Sequence, residues 1–341
     1  MLVFIHYLHE EVTMPRFIAI IICLTALIAT AAHAQAPPAG SGPYPAVIEG
    51  DPGLSGYTIY RPEDLSPFNK KNPLPVFAWG NGGCANSNVF YTPFLAEIAS
   101  QGFLVVAIGP YDPSQSRSMG GGMGSMGGGT KSAQLLEALD WATAENGSKN
   151  SKYYGKLDPS EFAVAGHSCG GLQALEVSKD PRIATTLVMD SGIFVGGPPK
   201  MPPPGPGSPN AGAPRAGGPN AGGPAPDAAM MKMILPDIKK DDLKKLHAPV
   251  IYINGGEKDM AYPNGVDDFA KIDKVPVAMA NIDVGHGGTY AQPNGGEFGK
   301  VAVAWLKWQL KGDKTAEKMF AGPECGLCTD TEWKFEKKRI P

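Results

Sequence analysis

Phe162-Ala163-Val164-Ala165-Gly166-His167-Ser168-Cys169-Gly170-Gly171 is the stretch whose reading decides the fold. Four apolar residues run directly into a serine set between two glycines at G-x-S-x-G spacing, and a helical pattern follows from Cys169 to Lys179. A strand that turns sharply into a helix puts such a serine on a strained turn, where side chains two positions before and two after would collide with the backbone. Gly166 and Gly170 supply the clearance. A helix beginning at Cys169 also aims free amides and its positive dipole end at the point where an oxyanion would form. The chemistry implied is nucleophilic attack by Ser168.

Short apolar runs alternate with helical patterns on both sides of this stretch. Strands are expected at Val76 to Trp79, Leu104 to Ile108, Phe162 to Ala165, Thr186 to Met189, Val250 to Ile253 and Val277 to Ile282. Helices are expected at Phe90 to Ser100, Lys131 to Ala144, Cys169 to Lys179 and Val301 to Leu310. Alternation of this kind predicts an α/β protein, a doubly wound and mostly parallel sheet with helices on both faces. Continuous runs such as Leu104-Val105-Val106-Ala107-Ile108 fit parallel strands buried on both faces. Functional loops then belong at the carboxyl ends of the strands.

A serine nucleophile needs a base. Past the amino-terminal leader the histidines are His167, His247 and His286. His167 lies inside the elbow and points away from the serine, and His247 precedes its strand. His286, in Asp283-Val284-Gly285-His286-Gly287-Gly288, follows a strand and precedes the last helix, the right place in the order serine, acid, histidine. The acid expected to orient it is Asp259, which follows the Val250 strand through Asn254-Gly255-Gly256-Glu257-Lys258. Asp190, at the end of the Thr186 strand, is the alternative. Cys169 is expected to give one oxyanion amide, and Gly83 or Cys84, in Trp79-Gly80-Asn81-Gly82-Gly83-Cys84, the other. Cys84 and Cys169 then lie on two segments that converge on one oxygen, so a disulfide between them is expected, leaving Cys325 and Cys328 as a local pair.

The chain has 341 residues, 43% hydrophobic and 18% charged, with a formal net charge of -3. That balance suits one large domain and gives no basic face for nucleic acid. Residues 1–34 are expected to be an export signal, with Met14 as a possible initiator. An apolar run from Phe17 to Ile28 follows Arg16, and Ala32-His33-Ala34 gives a small-x-small cleavage pattern. The run is about a dozen residues where a membrane span needs roughly 20, so no stable membrane anchor is expected. Residues 35–341 are then a single domain, interrupted by low-complexity insertions at 118–129 and 196–229. The G-x-G-x-x-G match at Gly122 to Gly127 lies in one of these glycine-rich runs and is set aside. Asp267-Asp268 is expected on a solvated helix face. No cofactor and no metal are expected.

With these residues placed, the chain resembles the α/β-hydrolase superfamily from about Gly56 to Trp333. It is similar to the cutinase-like polyester hydrolases and to the dienelactone-hydrolase and chlorophyllase branch. The resemblance is carried by Gly166-His167-Ser168-Cys169-Gly170, by Ile251-Tyr252-Ile253-Asn254-Gly255 leading to Asp259-Met260-Ala261-Tyr262-Pro263, by Gly285-His286, and by Trp305-Leu306-Lys307-Trp308. It implies ester hydrolysis through an acyl-enzyme, with Ser168, Asp259 and His286 as triad and a small-molecule ester as substrate. Asn81, Ile193, Phe194 and Tyr262 are the candidate substrate contacts. Where those polyesterases carry a bulky aromatic after the strand ending at Asp190, this chain has Ser191-Gly192-Ile193-Phe194, with Phe194 as a partial replacement. A secreted or periplasmic location follows from the leader. An amidase or peptidase with the same triad, and a catalytically silent binding protein on this fold, stand as alternatives.

Overall fold

Leu74 to Gly80 is buried at all seven positions, which requires cover on both sides of the strand, and the sheet around it provides that cover. The computed structural model describes residues 39–112, 129–197 and 235–341. Among them nine strands form one sheet: β1 (Ala46–Glu49), β2 (Tyr57–Pro62), β3 (Leu74–Gly80), β4 (Leu104–Ile108), β5 (Leu157–His167), β6 (Ile183–Met189), β7 (Val250–Asn254), β8 (Val277–Asn281) and β9 (Lys334–Lys338). Their spatial order is β1-β2-β4-β3-β5-β6-β7-β8-β9. Strands β3 to β8 are mutually parallel, while β2 joins β4 and β9 joins β8 antiparallel. The fold is therefore the α/β-hydrolase arrangement expected from the sequence. Its antiparallel strands β1, β2 and β9 were not legible there.

Side chains along the strands alternate between two apolar layers. Phe77, Trp79, Val105, Ala107, Ala163, Ala165, Ile251 and Ile253 face α1 (Thr92–Ser100) and α5 (Gly296–Lys311), packing on Phe94, Ile98, Val301 and Trp305. On the other face, Val76, Ala78, Val106 and Val164 meet Leu135, Leu139 and Trp141 of α2 (Ala133–Gly147). Farther along that face, Val188, Tyr252 and Met279 meet Leu172 and Leu175 of α3 (Cys169–Val177) and Phe269 of α4 (Tyr262–Lys271). Each fully buried large side chain contributes roughly 1.5–3 kcal/mol by leaving water.

The chain runs from β3 outward to β4 and then crosses back to β5 on the other side of β3. The direction of winding therefore reverses at β3, and the loops that follow β3 and β5 diverge from one crevice at the carboxyl edge. Two disulfides are present, Cys84–Cys169 with Cα atoms 5.1 Å apart and Cys325–Cys328 with Cα atoms 4.9 Å apart. Among the described residues no helix is long and apolar enough to cross a membrane. The expected leader, residues 118–128 of the first insertion and residues 198–229 of the second lie outside the described residues.

Candidate active site

Ser168 sits between β5 and α3 with φ 54° and ψ -115°, a conformation that costs a non-glycine residue energy. The glycines around it explain how the turn closes. A Cβ on Gly166 would overlap the backbone of Gly170, and one on Gly170 would overlap the carbonyl of Gly80 at the end of β3. The turn is pinned to the next strand, where Ser168 donates its amide to the Met189 carbonyl at 2.9 Å and accepts from the Ser191 hydroxyl at 2.6 Å.

His286 and Asp259 converge on the serine. The Nε2 atom of His286 lies 3.1 Å from Ser168 Oγ, and its Nδ1 lies 2.6 Å from Asp259 Oδ1. With the carboxylate accepting at Nδ1–H, Nε2 is left bare to accept the serine proton. Asp259 Oδ1 also accepts the Ala261 amide at 2.8 Å. Burial pushes the Asp259 carboxyl up, but the hydrogen bonds from His286 and Ala261 outweigh it and hold the group below its ordinary value. The two loops are laced together, since the amides of Val284 and Gly285 both donate to the Gly255 carbonyl at 3.1 and 2.7 Å. The imidazole is thus bonded to Asp259 and not to Asp190, the alternative acid.

The loop after β3 makes a tight turn with Gly83 at φ 64° and Cys84 at φ 49°. Cys84 donates its amide to the Asn81 carbonyl at 3.2 Å, whereas the amides of Gly83 and Cys169 have no acceptor among the described residues. Of the two candidates from this loop, Gly83 is therefore the one with an amide to offer. The Cys84–Cys169 bridge joins this loop to the first residue of α3.

His167 points away from Ser168 into a buried polar chain that sequence reasoning did not find. The His286 carbonyl can only accept, so the 2.8 Å contact puts a proton on His167 Nε2. His167 Nδ1 then accepts from the Tyr91 hydroxyl at 2.8 Å, and that oxygen accepts the Gly82 amide at 2.9 Å. Burial first, and the neighbouring His286 second, lower His167 from 6.5 to about 3, so it stays neutral. Glycine at position 82 is required, because a Cβ there would lie 2.5 Å from His167 Nδ1 and 2.8 Å from the Tyr91 oxygen.

Two of the expected substrate contacts are corrected. Asn81 is fully buried and spends its side chain on the scaffold, accepting from Trp79 Nε1 at 3.1 Å and donating to the carbonyls of Ala85 and Ile108 at 2.9 and 2.7 Å. Ile193 is a core residue packed with Leu172 and Tyr252. Phe194 is half-buried against the same cluster and keeps an accessible face. Tyr262, at the start of α4, lies beside Lys334 at the start of β9. Asp268 is also corrected, being fully buried where a solvated face was expected. A depression of about 490 Å³ lined by Lys71, Asp158, Glu161 and Lys311 opens at the amino ends of β3 and β5, the end of the strands opposite Ser168.

A protein-family model described as PET hydrolase-like (PETase) matches residues 52–189. The matched segment contains the glycine loop after β3 and the serine elbow, and stops before Asp259 and His286. No curated protein matches the chain.

Proposed function

From the premise that this chain belongs to the α/β-hydrolase superfamily, we propose that it is an exported serine hydrolase that cleaves carboxylic esters through an acyl-enzyme. The observation that carries this reading is the hydrogen-bonded line from Ser168 through His286 to Asp259, with contacts of 3.1 and 2.6 Å, starting at a serine held on a strained turn. Ser168 attacks the ester carbonyl while His286 Nε2 takes its proton. Asp259 stabilises the imidazolium, and the amides of Gly83 and Cys169 receive the oxyanion. The tetrahedral intermediate collapses when His286 returns the proton to the departing alcohol. Water then repeats the sequence on the acyl-enzyme. Export is supported by the two disulfides, which persist in oxidising compartments.

The substrate class proposed is a small or medium acyl ester, with the partly accessible Phe194 as a candidate contact. The test is labelling of Ser168 by a fluorophosphonate, followed by p-nitrophenyl esters, matched anilides and an aromatic polyester film. The expected result is labelling abolished by Ser168→Ala and ester turnover lowered about 10⁴-fold by Asp259→Asn. Anilide turnover exceeding ester turnover would make it an amidase. An unlabelled serine in folded protein would make it a binding protein.

A further inference from the structure

The geometry points to Asp190 as a positioning residue that stays a neutral acid and donates a hydrogen bond to Asp259, fixing the triad carboxylate without adding a second charge beside it. This rests on the triad proposed above. Asp259 spends Oδ1 on His286 and the Ala261 amide, while its Oδ2 is buried with no N–H or hydroxyl donor among the described residues. The carboxyl beside it is that of Asp190, fully buried and held by the Gly255 amide and the Tyr290 hydroxyl. Two ionised carboxylates cannot make that contact, because each would only accept. One of them must supply a hydrogen.

The surroundings choose Asp190 as the protonated partner. Asp259 faces an imidazole that favours its anion, whereas Asp190 is completely buried with no cation in hydrogen-bond contact among the described residues. It accepts the Gly255 amide at 2.7 Å through Oδ1 and the Tyr290 hydroxyl at 3.0 Å through Oδ2. The nearest titratable base is His167, whose Nε2 is 3.8 Å away and already donates to the His286 carbonyl. Tyr290 and Tyr91 complete the ring of titratable groups around the pair, and both phenols are held neutral by burial. Burial first, and repulsion by Asp259 second, push Asp190 well above the ordinary carboxylate range. Its backbone has φ 43°, so β6 turns in a left-handed conformation to deliver this carboxyl.

A carboxylic acid in this place locks the torsion of Asp259, and through it the ring of His286. The pair carries one negative charge, so the imidazole is oriented by a single carboxylate. The test is an infrared spectrum of the wild-type protein at about pH 8, where an ordinary carboxyl is ionised. A carbonyl stretch of an un-ionised carboxylic acid is expected, recorded in a Glu161→Gln background because burial pushes that exposed-edge carboxyl up to about 7. The band should vanish in Asp190→Asn. That variant still donates from an uncharged group and should keep kcat within about threefold, whereas Asp190→Ala should lower kcat at least about tenfold with little change in KM. Absence of the band in wild-type protein overturns the proposal and needs no variant to fold. Asp190→Asn falling to the level of Asp259→Asn also overturns it, since a charge would then be required. If the hydrolase reading itself were wrong, fluorophosphonate labelling would fail while the infrared band persisted.

Discussion

His167 Nε2 donates to the backbone carbonyl of His286 at 2.8 Å, so the histidine beside the serine in sequence holds the loop of the histidine beside it in space. Through Tyr91 the same ring reaches the Gly82 amide. The loop after β3 and the loop that carries His286 are therefore connected by a path that uses no side chain of Ser168, His286 or Asp259. His167→Ala should leave the Tyr91 hydroxyl and the His286 carbonyl buried without their partner, costing about 2–4 kcal/mol by urea unfolding. It should also lower kcat about tenfold, with Ser168 still open to slow labelling.

The depressed affinity of His167 for protons has a sign that can be checked. The unfolded state binds a proton at this histidine from 6.5 downward, while the native state resists until about 3. The stability it contributes is present above 6.5 and is lost as pH falls through that window. His167→Gln should therefore show a shallower acid destabilisation than wild type between these values, read from urea midpoints across a pH series. An unchanged slope would mean the ring is protonated in the native state.

Gly82 and Gly83 are neighbours with different constraints. A Cβ on Gly82 meets His167 and Tyr91, whereas a Cβ on Gly83 meets nothing within 4 Å, leaving only the penalty of its φ of 64°. Gly83→Ala should cost about 1 kcal/mol and reduce turnover modestly. Gly82→Ala should lower kcat more than tenfold by pushing the loop off the buried relay. The reverse ranking in a steady-state ester assay would discard this account of the loop.

The contrast between these residues and the triad shows what the sequence makes legible. Ser168, Asp259 and His286 each follow a buried strand, so chain order and apolar runs single them out as the proposed triad, and β4 coincides with the run expected from Leu104 to Ile108. Strand β9, Lys334-Phe335-Glu336-Lys337-Lys338, reads as a charged tail because an edge strand covered on one side needs few apolar residues. The partners of Asp190, His167 and Asn81 are not legible in the sequence for a common reason. A buried polar side chain is decided by which partners converge on it in space, and no periodicity records that. Asp268 could have been separated from Asp267, since adjacent helical positions lie about 100° apart and Asp268 shares the inward face with Gly265 and Phe269.

The Cys84–Cys169 bridge closes a sequence separation of 85 residues. Its loss in Cys84→Ala/Cys169→Ala should cost about 2–4 kcal/mol, in the range measured for such cross-links. The effect on activity should exceed the effect on fold content, because the bridge ties together the Gly83 and Cys169 amides that the proposed mechanism directs at one oxygen. Circular dichroism with matched ester kinetics separates the two. Full activity in the folded double variant would show that the loop holds its shape through Asn81, Tyr91 and the two bonds that the Thr130 amide and hydroxyl donate to the Cys84 carbonyl at 3.0 Å.

Asp268 holds both ends of the segment between β6 and β7. Its Oδ2 accepts the Ile193 amide at 2.8 Å on the outgoing side, and its Oδ1 accepts Lys240 Nζ at 2.7 Å on the returning side. Removing the carboxylate leaves the buried Ile193 amide without its acceptor, while Lys240 keeps Asp267 and the Asn264 carbonyl, so Asp268→Ala should destabilise the protein by about 1–3 kcal/mol. Burial raises the Asp268 carboxyl to about 6 despite Lys240. Since its native affinity for a proton exceeds the unfolded one, its contribution is greatest below 3.8 and is lost as pH rises through about 6. Asp268→Asn, which cannot titrate, should erase that decline, and the difference in urea midpoint between variant and wild type should shift in the variant's favour between pH 4 and 6. A difference that stays constant across the same range would place the Asp268 proton equilibrium at its ordinary value and make Lys240 the dominant influence on it.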